Sequence, residues 1–174
     1  MGLLVRIAVI CTLAIVNVIL ESTLFQYIRI YGIKPDFSIM IIVSYAIMRG
    51  SSYGTFIGLG IGLMIDIMYG RVIGINALSY MVTGYIIGQA HENVFKDSLI
   101  PPFIFNLAAI VIFQHSFIFL SYFSNDFPKT GISYVYMLLK VILPQAFYNA
   151  IAGSMVYRLI YKLDEAPFMN KRIY

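Results

Sequence analysis

The chain has 174 residues, of which 60% are hydrophobic and 11% charged, with a mean hydropathy of +0.85. Soluble domains carry about 25% charged residues, so a water-soluble core is excluded. At about 20 residues per crossing the length holds about six spans and no separate catalytic head. The 12 Lys and Arg against 8 Asp and Glu report topology rather than nucleic-acid binding, because cytoplasmic loops retain basic residues.

These figures predict an all-α membrane protein, one transmembrane domain over residues 1–174 with about six helices in a bundle. The first segment covers residues 3–28 and exits at Arg29, Gly32 and Lys34. Its apolar run ends in Glu21-Ser22-Thr23-Leu24 without a small-x-small cleavage pattern, so it reads as a retained helix. Cys11 lies within it as an apolar filler, and a single cysteine forms no internal disulfide. Met1-Gly2-Leu3-Leu4-Val5-Arg6 lacks the Ser or Thr of a myristoylation signal.

The second segment, residues 37–48, would reach only about 18 Å against a hydrocarbon layer of about 30 Å, so its neighbours bury it or it is locally irregular. Residues 53–68 and 76–89 form two more short segments. The fifth, 99–123, opens with Pro101-Pro102, which a first helical turn tolerates. The sixth, 133–163, carries Lys140 and Pro144 and leads into a basic tail, residues 164–174.

Six crossings put Arg6, Arg49, Lys96, Arg158, Lys162, Lys171 and Arg172 on one side, seven cations, against four on the other, Arg29, Lys34, Arg71 and Lys129. Both termini are therefore expected in the cytoplasm. With no tryptophan in the chain, tyrosines must supply the interfacial aromatics, and Tyr27, Tyr31, Tyr53, Tyr69, Tyr122, Tyr134, Tyr157 and Tyr161 fall near segment ends.

Gly54, Gly58 and Gly62 recur every fourth residue with Gly60 between them, and Gly84 and Gly88 repeat the spacing. Small residues at this interval form a groove for close approach of another helix, either within the bundle or from a partner protein. Asp36, Asp66 and Lys140 are assigned to one outer polar layer. A charge at membrane depth costs about 2.5 kcal/mol or more, so Asp66 is expected to pair with Lys140 or Arg71, while Asp36 after Pro35 suits a helix N-cap or an outer pocket. Glu21 reads as interfacial. Pro144 with Gln145 and Asn149 reads as a kink whose freed carbonyl and amides bond neighbouring helices. His91 and His115 are far apart, and His91-Glu92-Asn93 lacks a second zincin histidine, so no metal is expected. No phosphate loop is present, and neither cofactor nor catalytic residue is expected.

Lys34-Pro35-Asp36-Phe37, Arg49-Gly50, Gly54, Gly58, Gly62-Leu63-Met64-Ile65-Asp66, Gly74-Ile75-Asn76-Ala77-Leu78, Gly84-Tyr85 and, later, Leu143-Pro144 with Tyr148-Asn149 stand in this order. Together they resemble the MreD family of rod shape-determining proteins, most densely over residues 34–88. The resemblance implies a non-catalytic bacterial inner-membrane scaffold of the elongation machinery, binding MreC and working with MreB, RodA and the elongation penicillin-binding transpeptidase. It further implies a six-helix bundle resembling the S components of energy-coupling-factor transporters, hence an alternative function, capture of a small vitamin-like molecule. S components typically dock through an Ala-x-x-x-Ala element in the first helix, whereas Ala8 and Ala14 are six apart, which weakens that alternative. An intramembrane enzyme would have only Asp66, Glu21 and Asn149 to work with.

The basic count sets a first prediction. A reporter active only in the cytoplasm, fused at Tyr174, should give signal, and a periplasm-only reporter at the same point should stay silent. The reverse pattern would overturn the topology.

Overall fold

At the centre lies a helix that touches every other long element. The computed structural model describes residues 34–94, 98–124 and 134–164, with Thr12 and residues 15–17. Five principal helices are numbered here: α1 Phe37–Arg49, α2 Ser51–Tyr69, α3 Ile75–Gly88, α4 Ile100–Phe123 and α5 Tyr134–Asp164, with a 3₁₀ turn at His91–Asn93. No strand occurs among the described residues. The first predicted segment and the basic tail lie almost wholly outside them.

α1 begins where Asp36, with φ of −105°, accepts a 3.0 Å hydrogen bond from Ile39 N, satisfying one of the helix's orphan donors. Its apolar residues run all round the helix, and everything from Ser38 to Met48 is buried. Wrapped by α2, α3, α4 and α5, it is freed from matching the bilayer thickness, which accounts for its shortness. Gly50 ends it with φ of +89° and a 2.9 Å bond from its N–H to Ala46 O. That left-handed conformation lets the chain reverse into α2 in a single residue. The His91 ring packs beside Gly50, and its Nδ1 lies 2.7 Å from Ile47 O. Because a carbonyl only accepts, Nδ1 carries the proton and His91 caps the last turn of α1.

α2 and α3 pack antiparallel with their backbones in contact. Gly54 lies against Gly84, Gly58 against Tyr80, Gly62 against Ala77 and Gly88 against Ser51. Cβ atoms built on these glycines would stand 2.5 Å from Tyr80 O at Gly58, 2.7 Å from Ala77 N at Gly62 and 2.5 Å from Ser51 N at Gly88. Both stripes are therefore occupied by each other. Gly60 faces outward with open space at its Cβ position, between exposed Phe56 and Leu63.

α4 and α5 form the second antiparallel pair. Gly153 sits on Asn106, whose Cγ would be 2.5 Å from an added Cβ, and Gln114 Nε2 donates to Gln145 Oε1 at 2.9 Å. Leu138–Ile142 within α5 are wound as a π-turn just ahead of Pro144. Three of the helices, α2, α4 and α5, are long and apolar enough to cross a membrane, and α1 and α3 are shorter. Tyr157, expected at an interface, is instead 2% exposed within the core and stacks on Tyr161 at 6.0 Å.

The glycine contacts set the second prediction. Gly58→Ala should lower stability by about 1–3 kcal/mol, because an added methyl forces two backbones apart. Gly60→Ala should change it by less than about 0.5 kcal/mol. Thermal unfolding of purified protein in detergent distinguishes the two, and equal sensitivity would contradict the packing.

Candidate functional site

Two buried carboxylates anchor the polar interior, each at the end of a short helix. Asp36 is 6% exposed and Asp66 1%.

Asp36 joins three helices. Its Oδ1 caps α1, its Oδ2 accepts from Tyr80 OH on α3 at 2.9 Å, and its backbone N donates to Asn149 Oδ1 on α5 at 3.0 Å. Asn149 Nδ2 leans back toward Asp36 O at 3.5 Å. The Tyr80 ring stacks on Phe113 of α4, centroids 4.3 Å apart, so the phenol is held by apolar contact on one side and a carboxylate on the other. Beside this cluster Asn17 Nδ2 donates to Ser38 Oγ at 2.8 Å. Gln145 reaches Lys34 O at 3.5 Å, so the amides that follow Pro144 fasten onto the chain leading into α1.

Asp66 closes the turn between α2 and α3. Its carboxylate accepts from Gly74 N at 2.8 Å, Asn76 N at 3.2 Å, Asn76 Nδ2 at 2.8 Å and Ala77 N at 3.0 Å. Gly74, with φ of +109°, bends the backbone so that successive N–H groups converge on one oxygen pair. Three orphan donors of α3 are thereby satisfied by an anion placed at the positive end of the helix dipole.

This corrects the expected ion pair. Among the described residues no salt bridge joins Asp66 to Lys140 or Arg71, because the backbone donors of α3 already occupy its oxygens. Lys140 is exposed on the π-turn of α5, whereas the two carboxylates are buried. An ion pair lies at the other end, where Arg49 Nη2 contacts both Asp164 oxygens at 2.7 Å and ties the last turn of α1 to the end of α5.

Several participants were not visible in sequence. Tyr80 is one aromatic among many, and its partner lies 44 positions away. Asn106, wholly buried, donates to Pro102 O at 2.7 Å, while its Oδ1 has no conventional donor. A Cβ on Gly153 would meet the Asn106 amide as a whole, 2.5 Å from Cγ and 2.6 Å from Nδ2 and Oδ1, so glycine is required for the two helices to close there. Gly153 lacks a second glycine at four-residue spacing, the signal that exposed the other two stripes. Ser44, Ser79 and Thr83 bond carbonyls one turn back in their own helices and serve as small packing residues. No group of three His, Cys, Asp or Glu able to hold a metal occurs among the described residues.

Buried polar fasteners, glycine backbone contacts and long apolar helices define a helical membrane protein whose interior chemistry is turned on itself. The chain belongs to the MreD family: the family described as rod shape-determining protein MreD matches residues 2–165, nearly its whole length. No curated protein and no solved structure matches it.

Asp66→Ala should destabilise the protein by about 3 kcal/mol, by leaving buried N–H groups without acceptors. Lys140→Asp should be tolerated, and the double exchange Asp66→Lys with Lys140→Asp should be no better than Asp66→Lys alone. Recovery in the double variant, measured by thermal unfolding, would restore the ion-pair reading.

Proposed function

We propose that this chain is a non-catalytic scaffold in the bacterial inner membrane, with both termini cytoplasmic, that binds MreC and helps position peptidoglycan synthesis enzymes during rod elongation. MreB, RodA and the elongation penicillin-binding transpeptidase complete the assembly in this reading. The observation that carries it is the match to the rod shape-determining family over residues 2–165.

The interior supports the same reading. Asp36 bonds Tyr80 and Asn149, and Asp66 bonds the start of α3, which suits a part that holds its shape. Gly54, Gly58, Gly62, Gly84 and Gly88 contribute by joining α2 and α3 into one plate. Partner contact then falls on outward side chains, because the plate's own glycines are occupied.

The test is co-purification. Tagged protein extracted from membranes in detergent should retain MreC, and a Gly58→Leu variant should lose MreC in step with its loss of folded protein. Well-folded protein that retains no MreC would overturn the scaffold, and retention of a vitamin-like molecule would favour the transporter reading instead.

A further inference from the structure

Gln114 and His115 are neighbours on α4, yet their partners on α5 are Gln145 and Tyr134. Eleven residues of straight helix measure about 16 Å. Both contacts cannot form on a straight α5, so its first turns must leave the line set by the α4–α5 seam.

The bend has a chemical cause. Pro144 has no N–H for the carbonyl of Lys140, and its ring collides with that carbonyl. The preceding turn widens into the π-geometry of Leu138–Ile142. On the inner side of the bend the helix is fixed, since Gln145 accepts from Gln114 and Asn149 holds Asp36. On the outer side Tyr134, Val135, Tyr136, Leu139 and Val141 are exposed, Met137 and Leu138 are half-buried, with Leu138 against the core, and Ile142, at the bend itself, is buried.

A single polar contact among the described residues holds the outer portion to α4. His115 Nδ1 lies 2.7 Å from Val111 O, a group that only accepts, so the proton is on Nδ1 and Nε2 is an acceptor. Tyr134 OH donates to that Nε2, and the two rings meet edge-on with centroids 5.8 Å apart. Between this contact and the outer half of α4 lies an open apolar groove, lined by Ile118, Phe119, Tyr122 and Phe123.

We infer that Tyr134–Ile142 form a hinged arm, pivoting on the π-turn ahead of Pro144 and latched to α4 by the Tyr134–His115 hydrogen bond. Among the described residues the arm is held by Leu138 against the core, by Ile142 at the pivot and by this one hydrogen bond at its tip, so the hydrogen bond sets where the tip rests. With the latch broken the arm straightens toward the seam, which carries Tyr134 up to about 15 Å from His115, ten residues of helical rise. The groove changes shape as it does so.

Spin-label distances on the full chain in lipid nanodiscs test this, with Cys11→Ser removing the native thiol. One label pair, Ile104→Cys and Val135→Cys, spans the pivot. A control pair, Ile104→Cys and Ile151→Cys, lies on the inner side, and all three positions are exposed. With the latch intact each pair should give one distance. Tyr134→Phe removes one oxygen from an exposed ring, and should add a population longer by about 5–15 Å to the spanning pair while leaving the control pair unchanged. An unchanged spanning pair would eliminate the latch. An equal change in both pairs would mean that α5 moves as a whole, and would overturn the hinge.

Discussion

Lipid tails are as apolar as leucine, so helices in a bilayer have no hydrophobic reason to leave lipid for one another. Everything in this bundle depends on what replaces that force. One replacement is backbone contact: where Gly54 meets Gly84 and Gly58 meets Tyr80, dispersion acts over atoms that any side chain would separate. α1 is seated on the same seam, with Ala46 beside Gly54 and Ile42 beside Gly84. The plate of α2 and α3 thus makes the floor on which the central helix rests, and α4 and α5 close over it.

The second replacement is the buried hydrogen bond. In a low-dielectric interior such a bond is strong when made and costly when broken. Asp66 shows why a carboxylate suits its place, since three of its four donors are backbone N–H groups whose combined dipole favours an anion. A lysine there would face the same dipole with the wrong sign. Asp36 works over a longer range, drawing α3 and α5 to the first turn of α1, and Arg49 with Asp164 repeats the tie at the opposite end. Its two ends thus fixed, α1 cannot slide along its axis without breaking a charge-assisted contact.

The helices were legible because each apolar run ends in residues with a physical reason to stop it. Pro35-Asp36 opens α1, Gly50 closes it and Pro101-Pro102 opens α4. Partner identity was less legible. A glycine stripe announces close approach without saying which helix approaches, and only the fold matches Gly54, Gly58 and Gly62 to Gly84, Tyr80 and Ala77. The pairing of Asp66 with Lys140 followed from the cost of an isolated charge. It failed because the donors that satisfy Asp66 are the Asn76 side-chain amide and three backbone N–H groups, which every residue but proline has and which become available only where a helix begins. Pro144 stands just after the π-turn at Leu138–Ile142, but nothing in the sequence announced that Tyr134 would reach a histidine nineteen positions earlier.

The ties at the two ends of α1 also set an order of assembly. Asp36 waits for Asn149, 113 positions later, and Arg49 for Asp164, 115 positions later. At about 5–20 residues per second, a ribosome needs roughly 6–23 s to supply those partners. During that interval α1 is already made but its polar ends lack the bonds that hold them in the finished protein. The helix at the centre of the structure is therefore among the last to be secured, and a newly made chain cannot complete its core until the final helix has left the ribosome.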